Sequence, residues 1–526
     1  MGTYSRTADE AAIGPIPREF GGLRGALGRA WRDRRIGVAA VVVAAGLYGV
    51  VAGWWTPRGP VTTPQALAAI GISLVVGVFA GLVLRSRWAM LIAPVTFAVV
   101  FELTRRSAVG PLVDGIHVTS IYGVLAFALG RGVHGVLAVV PMLLGAVAGA
   151  ALARRLRDAG SPRDGRGRSW RVARRTITAL VAVGVLALTL GIIRPAGTDP
   201  ILTSDGKPLA GSVAELTRVD VGGSSLAMMI RGDNVKNPVL LFLAGGPGGT
   251  DIGALRRNSQ GLERAFTVAT YDQRGTGKSY DTLDPTSTLT LQGAVNDAVQ
   301  VTNYLRARLH QDKIYLVGNS WGSILGVLAA QQHPELFAAF VGAGQMVDIK
   351  ATDRLYYQDT LAWAQRTGNT SVVRQLTRNG LPPYANPLDY EPLLGNEQKV
   401  YPYDAAGLGE GASGFSENLF FREYSLMEEL HNLAGFLDTF TVLYPHLQNI
   451  DFRSQVTQLQ IPVYLVQGGH ETRARSEPAA QWFRILKAPV KKTIIFERSG
   501  HRSLFQQPDL FYQVMTGTVL AQTATR

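Results

Sequence analysis

Five apolar runs crowd the first two hundred residues of this 526-residue chain, at 36–55, 66–84, 88–103, 133–153 and 176–193. Almost no ionisable side chain falls inside them. A signal peptide or a buried core helix accounts for one such run, but not for five in succession. Where water cannot reach the backbone, only a helix or a closed barrel satisfies the N–H and C=O groups. Runs of about twenty apolar residues therefore read as membrane-spanning helices. No small-residue cleavage site follows the first run, and Gly53-Trp54-Trp55-Thr56-Pro57 reads as an interfacial belt.

Charge sets the expected orientation. Residues 1–200 hold 23 Arg, no Lys and 9 acidic residues, whereas the remainder holds 29 basic and 30 acidic residues. The overall +13 therefore belongs to the first part. Basic residues placed between apolar runs point to membrane topology, not to a nucleic-acid-binding face. Five spans put the basic tail 1–35, the pair Arg85 and Arg87, and the nine Arg between 154 and 175 all on the cytoplasmic side. The stretch 118–129 is apolar but only about twelve residues long. It is expected as a re-entrant or interfacial helix, parted from the fourth span by Gly130-Arg131-Gly132. An odd number of crossings makes the expected location multi-pass in the cell membrane, with the rest of the chain outside the cytoplasm. The absence of Cys excludes disulfides and thiolate catalysis.

A turn-rich linker, 195–212, leads into a second region, 213–526. There, short apolar runs at 239–243, 266–271, 314–317, 338–341, 463–466 and 493–496 alternate with helical patterns at 292–309, 324–332 and 478–486. This alternation predicts a doubly wound, mostly parallel sheet with helices on both faces. The interruption from about 346 to 460 is too long for a loop and reads as a mostly helical cap, with 407–414 as a flexible internal loop.

The chemistry centres on Gly318-Asn319-Ser320-Trp321-Gly322, preceded by a strand pattern and followed by a helix pattern. In that context a G-x-S-x-G sequence is a nucleophile elbow, with Ser320 as the attacking group. A nucleophilic Ser needs a base, an orienting acid and an oxyanion hole. His501, in the loop after the last strand, fits the base. Two carboxylates compete for the acid: Glu471, in the loop after the 463–466 strand, and Asp348, after the 338–341 strand. The oxyanion hole is expected to combine the backbone N–H of Trp321 with one from Ala244-Gly-Gly-Pro-Gly-Gly249. Gly246-Pro247 is a candidate cis peptide. No cofactor or metal is expected. His470-Glu471 lacks the second His of H-E-x-x-H, and 272–279 lacks the first Gly of a phosphate-binding loop.

Gly-Gly-Pro-Gly-Gly at 245–249, Asp-Gln-Arg-Gly-x-Gly-x-Ser at 272–279, Gly-Asn-Ser-Trp-Gly at 318–322, Gly344-Gln345 and Ser499-Gly-His501 together resemble the proline iminopeptidase branch of the α/β-hydrolases. The resemblance covers about residues 220–515 and implies a serine hydrolase with a helical cap. Many such enzymes release an N-terminal residue, often proline, from peptides. It implies Ser320 as nucleophile, His501 as base, Glu471 where the family has Asp, and Gly246 and Trp321 as oxyanion donors. Three departures stand out. Ala244 replaces the family's His, Glu471 replaces Asp, and Arg475 stands where the family has Pro. Members that cleave peptides hold the substrate's α-ammonium with cap carboxylates. Glu417, Glu423, Glu428 and Glu429 are available here, with Glu423 and Glu428 the candidates retained.

The expected function is a membrane-anchored serine hydrolase, an aminopeptidase acting on short peptides. The alternatives are an esterase or lipase of the same mechanism, or a non-catalytic receptor that keeps the fold. The sequence sets neither the substrate nor an oligomeric state.

Overall fold

The computed structural model describes residues 34–118, 120–157, 168–408 and 418–523. Nearly all of the expected tail 1–35, most of the expected loop 407–414, and the middle of the Arg-rich stretch 154–175 lie outside the described residues. The chain divides into two compact units. Residues 1–55, 68–106 and 135–186 make one, and residues 56–67, 107–134 and 187–526 make the other.

Among the described residues, four helices are long and apolar enough to cross a membrane. They are α1 (Arg34–Trp55), α2 (Thr63–Leu84), α4 (Ile121–Leu156) and the apolar part of α5 (Arg168–Ile193). The remaining expected run forms α3 (Ala89–Thr104), with 16 residues. At 1.5 Å per residue it rises about 24 Å, short of a hydrocarbon core of about 30 Å. The stretch 118–129 departs from expectation, because it does not end in a separate short helix. The helix beginning at Ile121 continues past Gly130-Arg131-Gly132 through two π-helical segments, Ala128–Gly132 and Gly135–Val139. Arg131 finds oxygen partners without a loop, donating to the carbonyls of Val113 (3.3 Å) and Asp114 (3.0 Å).

Within the first unit, paired glycines set the helix packing. A Cβ at Gly77 would sit 2.1 Å from the Met142 carbonyl oxygen, and one at Gly81 2.3 Å from that of Ala146. On the facing helix, Gly145 and Gly149 press on the Leu74 and Val78 carbonyls in the same way. Two G-x-x-x-G pairs thus let α2 and α4 touch backbone to backbone. Such packing holds helices together where lipid removes the hydrophobic driving force.

The second unit is built on eight strands: β1 (Val213–Val221), β2 (Ser224–Gly232), β3 (Val239–Leu243), β4 (Thr267–Tyr271), β5 (Ile314–Asn319), β6 (Phe337–Ala343), β7 (Val463–Gly468) and β8 (Lys491–Phe496). They run in the order β1-β2-β4-β3-β5-β6-β7-β8. The six expected runs are β3 to β8, all parallel. The β1–β2 hairpin was not foreseen, although Gly222-Gly223 between two β-patterned runs signals it. Both glycines have positive φ (52° and 76°), as a tight hairpin turn requires. Helices α6 (Leu291–Leu309), α7 (Trp321–Gln332) and α10 (Arg473–Ile485) pack on the sheet, and separate apolar clusters cover its two faces. The cap is helical as expected, its longest elements being α8 (Ile349–Arg366) and α9 (Leu426–Leu443).

The segment expected as a linker is pinned instead. Buried Arg231 needs acceptors, and it takes Thr198 Oγ1 (2.7 Å) and the Asp199 carbonyl (2.7 Å) alongside Glu263 (3.1 Å). Residues 56–67 and 107–134 are likewise part of this unit. Arg58, with 4% of its side chain exposed, pairs with Asp284 (2.9 Å) and Asp438 (3.2 Å) and donates to the Val109 carbonyl. Tyr280 also donates to Asp438 (2.9 Å). His431 stacks on Tyr280 at 4.6 Å and faces the Pro60 carbonyl at 3.2 Å. Burial pushes the Asp438 carboxyl up to about 6 against the pull of Arg58, and pushes His431 down to about 4. Removing one partner of a buried ion pair typically costs about 3–5 kcal/mol. A fragment starting at residue 200 would therefore leave Asp438 without its cation.

Candidate active site

Strand β5 feeds directly into Ser320, whose backbone is held at φ 53°, ψ −121°, and α7 begins at the next residue. A non-glycine residue with positive φ is strained and persists only where its surroundings determine it. Here they do. The Ser320 N–H donates to the Ala343 carbonyl (3.0 Å) at the end of β6. A Cβ on Gly318 would lie 2.3 Å from the Gly322 carbonyl oxygen, and one on Gly322 2.1 Å from that of Leu243. Both glycines of the motif are therefore dictated by close approach of backbone.

The structure brings His501 and Glu471 together. His501 Nδ1 lies 2.6 Å from Glu471 Oε2, and the Glu471 side chain is 1% exposed. An ionised carboxylate only accepts, so Nδ1 carries the proton and Nε2 is left as the base. Burial alone would raise the Glu471 carboxyl. The charges of Arg475 and His501 outweigh it and hold the group down to about 2. Gly344 (φ 53°) explains its own place in the motif set, since a Cβ there would fall 2.7 Å from the His501 ring. Ser320 and His501 thus both border the end of β6. Ser320 Oγ makes no hydrogen bond among the described residues.

Asp348 sits elsewhere. It caps α8 through Ala351 N–H (2.9 Å) and pairs with Arg453.

The oxyanion loop lies against the elbow. A Cβ on Gly245 would be 3.5 Å from Ser320 Cβ, and the Gly246-Pro247 bond is cis. Gly245 N–H is taken by Asp251 Oδ2 (3.2 Å). Among the described residues, neither the N–H of Gly246 nor that of Trp321, in the first turn of α7, has a hydrogen-bond partner. Gln273 braces both sides, donating to the Ala244 carbonyl (3.1 Å) and accepting from Trp321 Nε1 (2.8 Å). Asp251 ties this loop to the His501 loop through Arg502 (2.9 Å). Gln506 holds that loop from below by accepting from Gly500 N–H (2.7 Å).

Sequence reasoning missed Asp251 and Gln506, held Gln273 only as part of a motif, and named Arg475 only as a departure from the family pattern. Nothing in the sequence links Asp251 to Arg502 across 251 positions.

The retained cap carboxylates are already occupied. Glu423 accepts from Arg256 (3.0 Å) and Thr198 (2.9 Å). Glu428 pairs with Lys278 (2.7 Å) and closes a capping box with Ser425 at the start of α9. Glu417 lies outside the described residues. At Glu429, Oε1 accepts from the Phe421 N–H (3.0 Å), the Phe420 backbone N–H also faces the carboxylate, and Oε2 is buried without a full hydrogen bond. Burial raises its carboxyl to about 7. Its helix lies over the oxyanion loop, where a Cβ on Gly248 would meet the Gly435 carbonyl oxygen at 2.7 Å.

Comparison with known proteins identifies the family. Residues 238–508 match the family model described as the alpha/beta hydrolase fold. A probable aminopeptidase, YbaC, of Bacillus subtilis is 30% identical over 321 residues, covering 59% of this chain and 97% of the relative. A probable proline iminopeptidase of Leptolyngbya boryana is 30% identical over 130 residues, 25% of this chain and 38% of the relative. The crystal structure of a proline iminopeptidase from Mycobacterium smegmatis aligns at 18% identity with a TM-score of 0.43, over 59% of this chain and 99% of that one. The chain belongs to the α/β-hydrolase family and has proline iminopeptidase-like relatives.

Proposed function

We propose that the protein is a membrane-anchored serine aminopeptidase acting on short peptides. Ser320 Oγ attacks the scissile carbonyl while His501 Nε2 takes its proton. Glu471, ionised, steadies the imidazolium that forms. The N–H groups of Gly246 and Trp321 receive the developing oxyanion. His501 then returns the proton to the leaving amine, and water releases the acyl group by the same steps. The observation that carries this reading is the 2.6 Å contact between His501 and buried Glu471, beside a serine held in a strained elbow.

The α-ammonium reading passes from Glu423 and Glu428, which are neutralised by internal cations, to Glu429, whose Oε2 lacks a full hydrogen bond. The test uses the full chain in detergent, with chromogenic aminoacyl, N-acetylated aminoacyl and acyl-ester substrates. Free N-termini are cleaved at least about a hundredfold faster than acetylated ones, as befits loss of a buried charged hydrogen bond of about 3 kcal/mol. Glu429→Gln abolishes that preference. Equal rates on free and acetylated substrates, or turnover of esters alone, identify an esterase.

We place the hydrolase outside the cytoplasm. Residues 56–67 and 107–134 belong to its unit, while Arg85, Arg87 and Arg154 do not. If the connections before α2 and before α4 share a side with the hydrolase, each of the five apolar helical segments crosses once, α3 with local thinning of the bilayer. All the Arg-rich stretches then fall on the cytoplasmic side. A C-terminal alkaline phosphatase fusion is active and a green fluorescent protein fusion is dark. The opposite pair of results places the enzyme in the cytoplasm.

A further inference from the structure

We infer that Arg475 and Glu397 are positioning residues for the acid of the catalytic set, joining the cap to Glu471 in one charge cluster. The inference rests on the serine-hydrolase reading of Ser320, His501 and Glu471.

The cluster divides the oxygens of Glu471 between two partners. Oε2 faces His501, while Oε1 accepts from Arg475 Nε (2.9 Å) and from Thr472 N–H (2.8 Å). Arg475 is 7% exposed at its side chain and spends its other edge on Glu397, whose short helix Glu397–Val400 lies in the cap. The guanidinium lies 5.2 Å from the centroid of the Tyr356 ring on α8, and Tyr356 OH meets Thr472 Oγ1 at 3.3 Å. A planar fork with five donors can serve two carboxylates and an aromatic face at once, which an ammonium cannot.

The charge count gives the arrangement its purpose. A buried carboxylate needs a cation to remain ionised, and Arg475 supplies one. A single cation alone would also cancel the negative charge that His501 needs when it becomes an imidazolium. Glu397 restores it. Two carboxylates and one guanidinium leave one negative charge, which the imidazolium neutralises. Arg475 stands at one of the chain's departures from the family pattern, and it contacts Glu471, which stands at another. Among the described residues, the other charged or titratable groups facing the cluster are the Arg473–Asp359 pair with Tyr401, Tyr122 on the Glu397 side and, beside His501, the Arg502–Asp251 pair.

Opposite substitutions therefore move the pH dependence of the nucleophile in opposite directions. The readout is the rate constant for labelling of the full-length protein by a fluorophosphonate probe between pH 4 and 9, which requires no known substrate. Glu397→Gln removes a negative charge, so the acid limb moves to lower pH, by about one unit. Arg475→Met removes a positive charge, so the limb moves up by a similar amount. Its plateau falls more than about tenfold, a part of the 10²–10⁴ that a positioned base contributes. Melting temperatures identify variants that fail to fold. If Arg475→Met unfolds, Glu397→Gln decides alone, since Glu397 is partly exposed. An acid limb that stays in place or moves up in folded Glu397→Gln overturns the proposal. Ser320→Ala separates this from failure of the underlying reading. If labelling survives that substitution, the serine-hydrolase assignment itself is wrong. If it vanishes while both cluster variants behave as wild type, only the positioning role falls.

Discussion

Ser320→Ala abolishes both turnover and fluorophosphonate labelling without unfolding the protein. The hydroxyl is the attacking atom, and it makes no hydrogen bond among the described residues, since the structural bonds at this residue use backbone N–H and C=O. Loss of the nucleophile in a serine hydrolase lowers kcat by about 10⁶-fold, leaving only the contribution of the oxyanion hole and of binding. The strained φ of 53° remains imposed by the close packing at Gly318 and Gly322, so the variant keeps its turn. Labelling that persists in Ser320→Ala removes the elbow assignment. Labelling lost together with the melting transition reports unfolding instead, and Ser320→Cys then serves as the folded comparison.

Glu471→Gln lowers kcat by about 10⁴-fold, the size of effect seen when an orienting carboxylate becomes an amide and the imidazole settles in the wrong tautomer. Asp348→Asn changes kcat little, because Asp348 caps α8 and pairs with Arg453, away from His501. The reverse result would transfer the acid role to Asp348. A pH argument accompanies the substitution. Glu471 is held at about 2, below its ordinary 4.5, so it stays ionised throughout the working range and does not set the acid limb of activity. Its depressed value also stabilises the fold above the unfolded-state value of about 4.5. That contribution is lost as pH falls from there toward 2. Thermal unfolding followed from pH 6 to pH 3 therefore shows a steeper loss in wild type than in Glu471→Gln.

Arg58 and the cap carboxylates show where sequence reading runs short. Nothing local distinguishes Arg58 from Arg85, Arg87 or the arginines of 154–175, or Glu429 from Glu428 next to it. Their roles depend on which groups lie within about 3 Å, and those partners come from positions such as Asp438, 380 residues away from Arg58. The same holds for Arg475. Its departure from the family pattern was plain in the sequence, but its engagement with both Glu471 and the cap was not.

The sequence by itself determined the parts written as local pattern. Apolar length marked the helical segments before residue 194, and short buried runs marked β3 to β8. A strand–turn–helix period placed Ser320 in a turn that only glycine neighbours permit. Chain order after the late strands brought forward Glu471 and His501. Tertiary structure alone brought Glu471, and not Asp348, against His501. It carried a helix through Gly130-Arg131-Gly132, joined residues 56–67 and 107–134 to the hydrolase, and left one oxygen of Glu429 without a full hydrogen bond. The physical reason is range. Propensity and periodicity act over a few residues and are legible in order. Ion pairing and burial act through space, and the chain order of their partners carries no record of the distance between them.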